Sequence, residues 1–260
     1  MPKLRFKSID VNYTELGKGS AVLLIHGFLE SIWMWKEVAP ELAKRHRVIC
    51  IDLPGHGLSD CIGYVHSMEE MAEACYHDIH HLRIRKVALV GHSMGGYVAL
   101  AFAELFPDHV RSLALYQSTA KADSPAKKID RERASDLIKE NHVSFVKQSI
   151  PLLFRPVNRK KFKLQIEGLK SEALKTSKQG IIAALAGMRD RPNREVLLKF
   201  PPYPVHIIAS DKDPRIPLEE SQSLAAISSE VQLHLIQGSG HMSYIEDFPA
   251  AISAIKKSIA

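Results

Sequence analysis

An α/β fold built on a mostly parallel sheet is predicted by three observations. Short apolar runs suited to strands buried on both faces recur along the chain, among them AVLLI at 21–25, VALV at 87–90 and VHIIA at 205–209. Segments with three- and four-residue hydrophobic periodicity alternate with them, as helices covering such a sheet do. The alternation breaks once: from about Lys121 to Phe200 helical stretches follow one another with no buried strand between them. A block of that kind is an insertion over the sheet rather than another layer of it.

The chain has 260 residues, 45% hydrophobic and 25% charged, as expected of an ordinary soluble globular protein with one compact catalytic unit. The N-terminal MPKLRFKSIDVNYTEL lacks an apolar signal core, and no apolar run approaches the ~20 residues of a membrane span, so a cytoplasmic protein is expected. Cys50, Cys61 and Cys75 are odd in number and lack CxxC spacing, which suggests neither a disulfide framework nor a zinc site. The net charge of +6 is uneven, because residues 121–200 hold 19 Lys and Arg against 9 Asp and Glu. Such a segment suits an acidic substrate, a nucleic acid or an anionic surface; dispersed basic residues without a nucleic-acid module read instead as a solvated helical face. Neither a nucleic-acid nor a membrane partner is expected.

Taken in order, LRFKS (4–8) and VNYTEL (11–16) predict two short strands, and AVLLI the first fully buried one. The latter exits at once into His26-Gly27-Phe28, at the carboxyl end of the strand, where open α/β sheets bind ligands. Phe28 is therefore positioned to offer its backbone amide to an oxyanion. Trp33 to Arg45 reads as a helix, and 47–52 as a buried strand ending in LPGHGLSD, a loop bent at Gly55 and Gly57. His56 and Asp52 fall in this turn-rich loop and read as structural. Ser67 and Glu70 have capping-box spacing ahead of a helix whose Met68, Met71, Cys75, Ile79 and Leu82 form one core face. His77, His80 and His81 lie along that helix; His77 and His81 have i, i+4 spacing, but without HExxH they read as surface side chains rather than metal ligands.

VALV leads into GHSMGG, with a helix over Met94 to Phe106 stopped by Pro107. Ser93 thus sits at a tight strand-to-helix turn, an unfavourable backbone conformation that needs small neighbours, here Gly91 and Gly95. Its hydroxyl is held out at the sheet edge, beside the positive N-terminal end of the helix and the Met94 amide. A dinucleotide-binding turn would need glycine at 93, and no GK pair offers a phosphate loop. After a strand at 110–116 and the helical block, 205–209 returns the chain to the sheet and ends in SDKDPRIP. Asp213 can orient a histidine there, with Asp211 as its competitor. VQLHLI then leads to His241 in a Gly-rich loop that reads as flexible, and Pro249 to Ile259 closes the chain as a helix.

Ser93, Asp213 and His241 follow predicted strands in that order, and with HGF (26–28), DLPGHGLSD (52–60), GHSMGG (91–96), SDKDPRIP (210–217) and GSGHM (238–242) the chain resembles the α/β-hydrolase superfamily. The resemblance implies an eight-stranded sheet with a helical cap after the sixth strand, hence a core of 1–120 and 201–260 and a cap of 121–200. It also implies Ser93 as nucleophile, His241 as general base, Asp213 as the acid orienting it, and the amides of Phe28 and Met94 as oxyanion hole. No metal or organic cofactor is implied.

Serine at 93 disfavours the dehalogenase and epoxide hydrolase branches, whose nucleophile is aspartate, and HGF rather than HGGPG argues against proline iminopeptidases. HGFLES with DLPGHG resembles the menaquinone-pathway lyases, yet Tyr97 stands where that family has arginine; Arg155, Arg189 or Arg191 would have to compensate. The expected reaction is hydrolysis of a small-molecule carboxylic ester or lactone. Thioester or carbon–carbon bond cleavage and the lyase are the alternatives on the same triad, and a small-molecule receptor is the alternative of another class.

Overall fold

The structure, a computed structural model, describes residues 2–260. Eight strands form one sheet: β1 (Lys3–Phe6), β2 (Ile9–Leu16), β3 (Ser20–Ile25), β4 (His46–Ile51), β5 (Val87–His92), β6 (Val110–Tyr116), β7 (Val205–Ser210) and β8 (Val231–Ile236). Their spatial order is β1-β2-β4-β3-β5-β6-β7-β8. The pairs β1–β2 and β2–β4 are antiparallel and all others parallel, with Leu23 in register between Ile49 and Leu89. The inner strands are buried along nearly their whole length, which is why they read as unbroken apolar runs.

Around the sheet lie α1 (Val38–Ala43), α2 (Met68–His81), α3 (Met94–Leu105), α4 (Pro125–Ser149), α5 (Lys163–Ala173), α6 (Lys178–Asp190), α7 (Leu218–Ala225), α8 (Ser243–Glu246) and α9 (Phe248–Ser258). The Ser67 side chain accepts the Glu70 amide at 3.0 Å and starts α2, as its spacing predicts. The single helix expected over Trp33 to Arg45 is instead a 3-10 turn, Ile32–Trp35, followed by α1. Pro40 is the reason, since it has no amide to donate and is tolerated only in a helix's first turn. Helices α4 to α6 fill the chain between β6 and β7. Ser124 caps the first of them, and Asn141, at φ −152°, breaks it; its side chain accepts the Ser144 amide at 2.9 Å and restarts the helix. Among the described residues no helix is long and apolar enough to cross a membrane.

The turn from β5 into α3 depends on two glycines. A Cβ on Gly91 would lie 2.2 Å from the Gly95 carbonyl oxygen, and one on Gly95 would lie 2.3 Å from that of Ile25 and 2.6 Å from that of His26. Helix α3 therefore touches the end of β3 backbone to backbone. Gly95→Ala is expected to destabilise the protein by about 1–3 kcal/mol through overpacking. Gly168→Ala is its control, because a Cβ there meets only the Trp33 ring at 3.4 Å and a helical Gly→Ala change contributes about 0.5–1 kcal/mol. Urea denaturation of the two variants checks the opposite signs.

Candidate active site

Four segments leave the carboxyl ends of parallel strands and converge. After β5, Ser93 has φ 50° and ψ −115°, a left-handed conformation costly for a non-glycine residue. Hydrogen bonds hold it from both sides: its amide donates to the Tyr116 carbonyl at 2.9 Å, and its own carbonyl accepts from the Ser118 hydroxyl at 2.7 Å and the Gly96 amide at 2.9 Å. After β7, Asp213 accepts the amides of Arg215 at 2.7 Å and Ile216 at 3.1 Å on one carboxylate oxygen. Its other oxygen accepts from His241 Nδ1 at 2.8 Å, both side chains being buried. A carboxylate facing Nδ1 places the proton there and leaves Nε2 as the basic nitrogen. Ser93 and His241 line one cavity of about 440 Å³.

Asp211, the competing acid, accepts the Gly238 amide at 2.6 Å and lies 3.5 Å from the Lys212 ammonium; Asp213 is the one that meets His241. Asp52 is buried and accepts from Asn12 Nδ2 and the Ile32 amide at 2.7 Å each and from the Leu58 amide at 2.9 Å. His56 is fully enclosed with its ring against Phe28, and burial holds its pKa well below the ordinary range. Neither lines the cavity. On α2, the His77 ring packs on Phe6, and no group of three His, Cys, Asp or Glu able to hold a metal occurs among the described residues.

After β3, a turn closes with the Glu30 amide on the Gly27 carbonyl at 3.3 Å, and Leu29 takes φ 62°. His26 braces it, donating from Nδ1 to the Gly27 carbonyl at 2.7 Å and accepting the Leu53 amide on Nε2 at 3.0 Å. The Phe28 amide has no acceptor among the described residues, nor has that of Met94, the first residue of α3, where helix amides are intrinsically unpaired.

Sequence reasoning missed the buried pair between these loops, although both partners stand inside quoted motifs, HGFLES and GHSMGG. Glu30 Oε2 accepts from His92 Nδ1 at 2.8 Å and from the Gly27 amide at 2.7 Å, and Oε1 accepts from Tyr244 at 3.1 Å. His92 Nε2 donates to the His241 carbonyl at 3.0 Å. Both ring nitrogens thus face acceptors, the arrangement an imidazolium satisfies. Burial is the largest single influence and works against charge on each partner, but the partner's charge together with the hydrogen bonds to each group outweighs it, so the His92 pKa is raised above its ordinary 6.5 and that of Glu30 lowered below 4.5.

The loop carrying His241, read from its glycines as flexible, is tightly anchored. The His241 amide donates to the Leu153 carbonyl at 2.9 Å, Gly240 donates to Glu246 at 3.0 Å, and Gln117 Nε2 donates to the Gly240 carbonyl at 2.7 Å. Its glycines serve close approach instead, since a Cβ on Gly240 would meet the Arg155 amide nitrogen at 2.5 Å. Arg155, Arg189 and Arg191 do not line the cavity. Arg155 bonds the Gly238 carbonyl at 3.1 Å, Arg189 pairs with Asp190 at 2.8 Å, and Arg191 pairs with Asp123 at 2.7 Å while stacking over Tyr97 at 3.9 Å. The cavity's basic residues are Lys127, Arg131 and Arg215.

Among families of known proteins, the alpha/beta hydrolase fold matches residues 20–248. The chain belongs to this family. It is an α/β-hydrolase enzyme, and several of its relatives carry hydrolytic names. A malate-bound esterase from Thermogutta terrifontis superposes with a TM-score of 0.93 at 32% identity, over 98% of this chain and 96% of that one. The 2-hydroxymuconate semialdehyde hydrolase of Pseudomonas sp. (strain CF600) is 29% identical over 92% of this chain and 86% of its own. The dihydrolipoyllysine-residue acetyltransferase component of the acetoin cleaving system of Pseudomonas putida is 27% identical over 91% of this chain, which spans only 63% of that relative.

The buried pair has a pH signature. With its pKa raised on folding, His92 contributes stability that is complete below its unfolded value of 6.5 and is lost as pH rises through the folded one. With its pKa depressed, Glu30 contributes stability present above 4.5 and lost as pH falls through its folded value. Glu30→Gln should therefore cost most between those limits, about 3–5 kcal/mol for a broken buried pair, and progressively less at more acidic and more alkaline pH. Unfolding by urea across that range measures it; a deficit that does not vary with pH would refute the account.

Proposed function

We propose that this α/β-hydrolase cleaves a small-molecule carboxylic ester or lactone through an acyl-enzyme. The observation that carries the reading is the 2.8 Å contact of His241 Nδ1 with the buried Asp213 carboxylate, behind a cavity that His241 and Ser93 both line. Ser93 Oγ attacks the scissile carbonyl while His241 Nε2 takes its proton, and the amides of Phe28 and Met94 donate to the oxyanion. His241 then protonates the leaving alcohol, and a water activated by the same nitrogen releases the acid. Asp213 holds the imidazole in the Nδ1–H tautomer and stabilises its charged form. Helices α4 to α6 act as a cap of 121–200 over a core of 1–120 and 201–260, and Phe145, Leu153, Leu185 and Met188 give the cavity its apolar wall.

Similarity to the Thermogutta esterase at 32% identity supports the ester over other acyl substrates. The relationship to the semialdehyde hydrolase keeps carbon–carbon bond hydrolysis as a second reading. In turnover of p-nitrophenyl acyl esters, Ser93→Ala is expected to lose at least about 10⁴-fold in kcat, and Asp213→Asn about 10³–10⁴-fold. Asp211→Asn should stay within about twofold, since Asp211 does not meet His241 and asparagine keeps a carbonyl oxygen to accept the Gly238 amide. A fluorophosphonate probe should label Ser93. Full turnover by Ser93→Ala would overturn the assignment, and an unreactive serine beside tight small-molecule binding would identify a receptor instead.

A further inference from the structure

The cavity holding Ser93 and His241 is unequally charged. Its ionisable wall consists of Lys127, Asp130 and Arg131 from α4, Arg215 from the segment after β7, and Glu30 at its floor beside His92 and His241. Glu30 is neutralised by His92. Asp130, exposed at the cavity's rim, is paired with Arg133 at 3.5 Å. Asp123 is a single carboxylate shared by two guanidiniums, those of Arg131 and Arg191, so that cluster carries one positive charge in excess. Neither the Arg215 guanidinium nor the Lys127 ammonium has a hydrogen-bond or ion-pair partner among the described residues; Arg215 engages the chain only through its amide, on Asp213.

Arg215 is the more telling of the two. Though exposed in area, its guanidinium is enclosed enough that desolvation pushes its pKa below the ordinary 12.5, with Asp213 opposing that shift and Arg131 adding to it. An arginine that lines the cavity beside a neighbour of its own sign, with no ion-pair partner for its guanidinium among the described residues, is an unfilled anion site. Its planar fork matches a carboxylate with two parallel hydrogen bonds, and Lys127 adds a point charge. The sequence places Arg215 two residues after Asp213, so the same turn that orients His241 carries this cation to the cavity.

We propose that the substrate of this site carries a free carboxylate remote from its scissile carbonyl, held by Arg215 with Lys127. The proposal rests on the ester-hydrolase reading and specifies its substrate class, a half-ester of a dicarboxylic acid or a lactone bearing an acid. The cavity's apolar lining, Phe145, Leu153, Leu185 and Met188, fits the connecting methylenes. Water adds across the ester bond, releasing an alcohol and a dicarboxylate from a half-ester.

The test compares monoethyl succinate, glutarate and adipate with the uncharged ethyl alkanoates of matching length. Wild-type protein is expected to favour the acid in kcat/KM by about tenfold or more at one length, with the difference in KM and diminished by salt. Arg215→Gln should bring that ratio towards one, and Arg215→Lys should restore it in part. Lys127→Gln, at an exposed position in the first turn of α4, should lower it less and guards against a folding defect in the first variant. A preference for neutral esters at every length, or a ratio unchanged in both Gln variants, overturns the proposal. A calorimetric titration of adipate onto the Ser93→Ala protein reads the subsite without turnover. Binding weakened about tenfold by adding Arg215→Gln supports the carboxylate site even if the nucleophile is misassigned, whereas loss of esterase activity in Ser93→Ala alone bears only on the chemistry; no difference in adipate binding refutes the site.

Discussion

The backbone of Ser93 is the constraint on which the arrangement depends. A left-handed conformation at a residue with a Cβ costs on the order of 1–3 kcal/mol and persists only where its surroundings over-determine it. Here the amide and carbonyl of Ser93 are both engaged from the end of β6, through Tyr116 and Ser118, while α3 is pressed onto β3 by the missing side chain of Gly95. The serine hydroxyl is thus presented by strain the sheet sustains. Leu29 and Gln117 also have positive φ, at 62° and 47°, and both lie at the carboxyl edge of the same sheet. Three of the five non-glycine residues with positive φ among the described residues thus lie at this edge, the other two being Lys7 and Arg83 in turns elsewhere.

A second constraint coordinates the loops that this edge brings together. Glu30 belongs to the turn after β3, His92 to the end of β5, Tyr244 to α8, and His241 to the loop after β8. The Glu30–His92 pair links all four through bonds of 2.8 to 3.1 Å. A buried ion pair contributes little net stability over an apolar substitute, because desolvation cancels most of the attraction. Its value here is directional. Leu at either position could fill space, but it could not hold the Gly27 amide and the His241 carbonyl at fixed points, and displacement of either segment strands a charge in the core.

The central strands and the order of Ser93, Asp213 and His241 are legible in the sequence because burial on both faces writes an apolar run ahead of Ser93 and of Asp213, and because His241 follows the last strand, VQLHLI, whose outer position leaves it only partly buried. The same local logic explains the helix split at Pro40, where two short elements share one amphipathic pattern. It fails for α7 and α8, too short to show periodicity. It fails also for the His241 loop, whose glycines signal freedom in one dimension but close packing in three. Glu30 and His92 are 62 residues apart, and nothing in local composition says that a glutamate in one turn neutralises a histidine in another. The net basicity of 121–200 is similarly ambiguous, since a count cannot separate Arg191, consumed by Asp123 and Tyr97, from Lys127, which lines the cavity.

That distinction bears on how a fold of this kind acquires specificity. The sheet edge spends its polar groups on one another: Asp213 on His241 and two amides, Glu30 on His92, His26 on two backbone groups. Little hydrogen-bonding capacity is left there beyond what the reacting centre itself needs. Discrimination between substrates must therefore come from the wall built by α4 to α6 and by the chain just after β7, where polar groups are still unsatisfied. An unpartnered guanidinium in such a wall discriminates more sharply than its apolar neighbours do, because only a ligand with the matching anion can answer its charge with two parallel hydrogen bonds. Arg191, similar in chemistry and close in space to Arg131, cannot serve in that way, since its charge is already answered by Asp123. What separates a structural arginine from a selective one in this protein is whether a carboxylate of its own chain has been placed within reach.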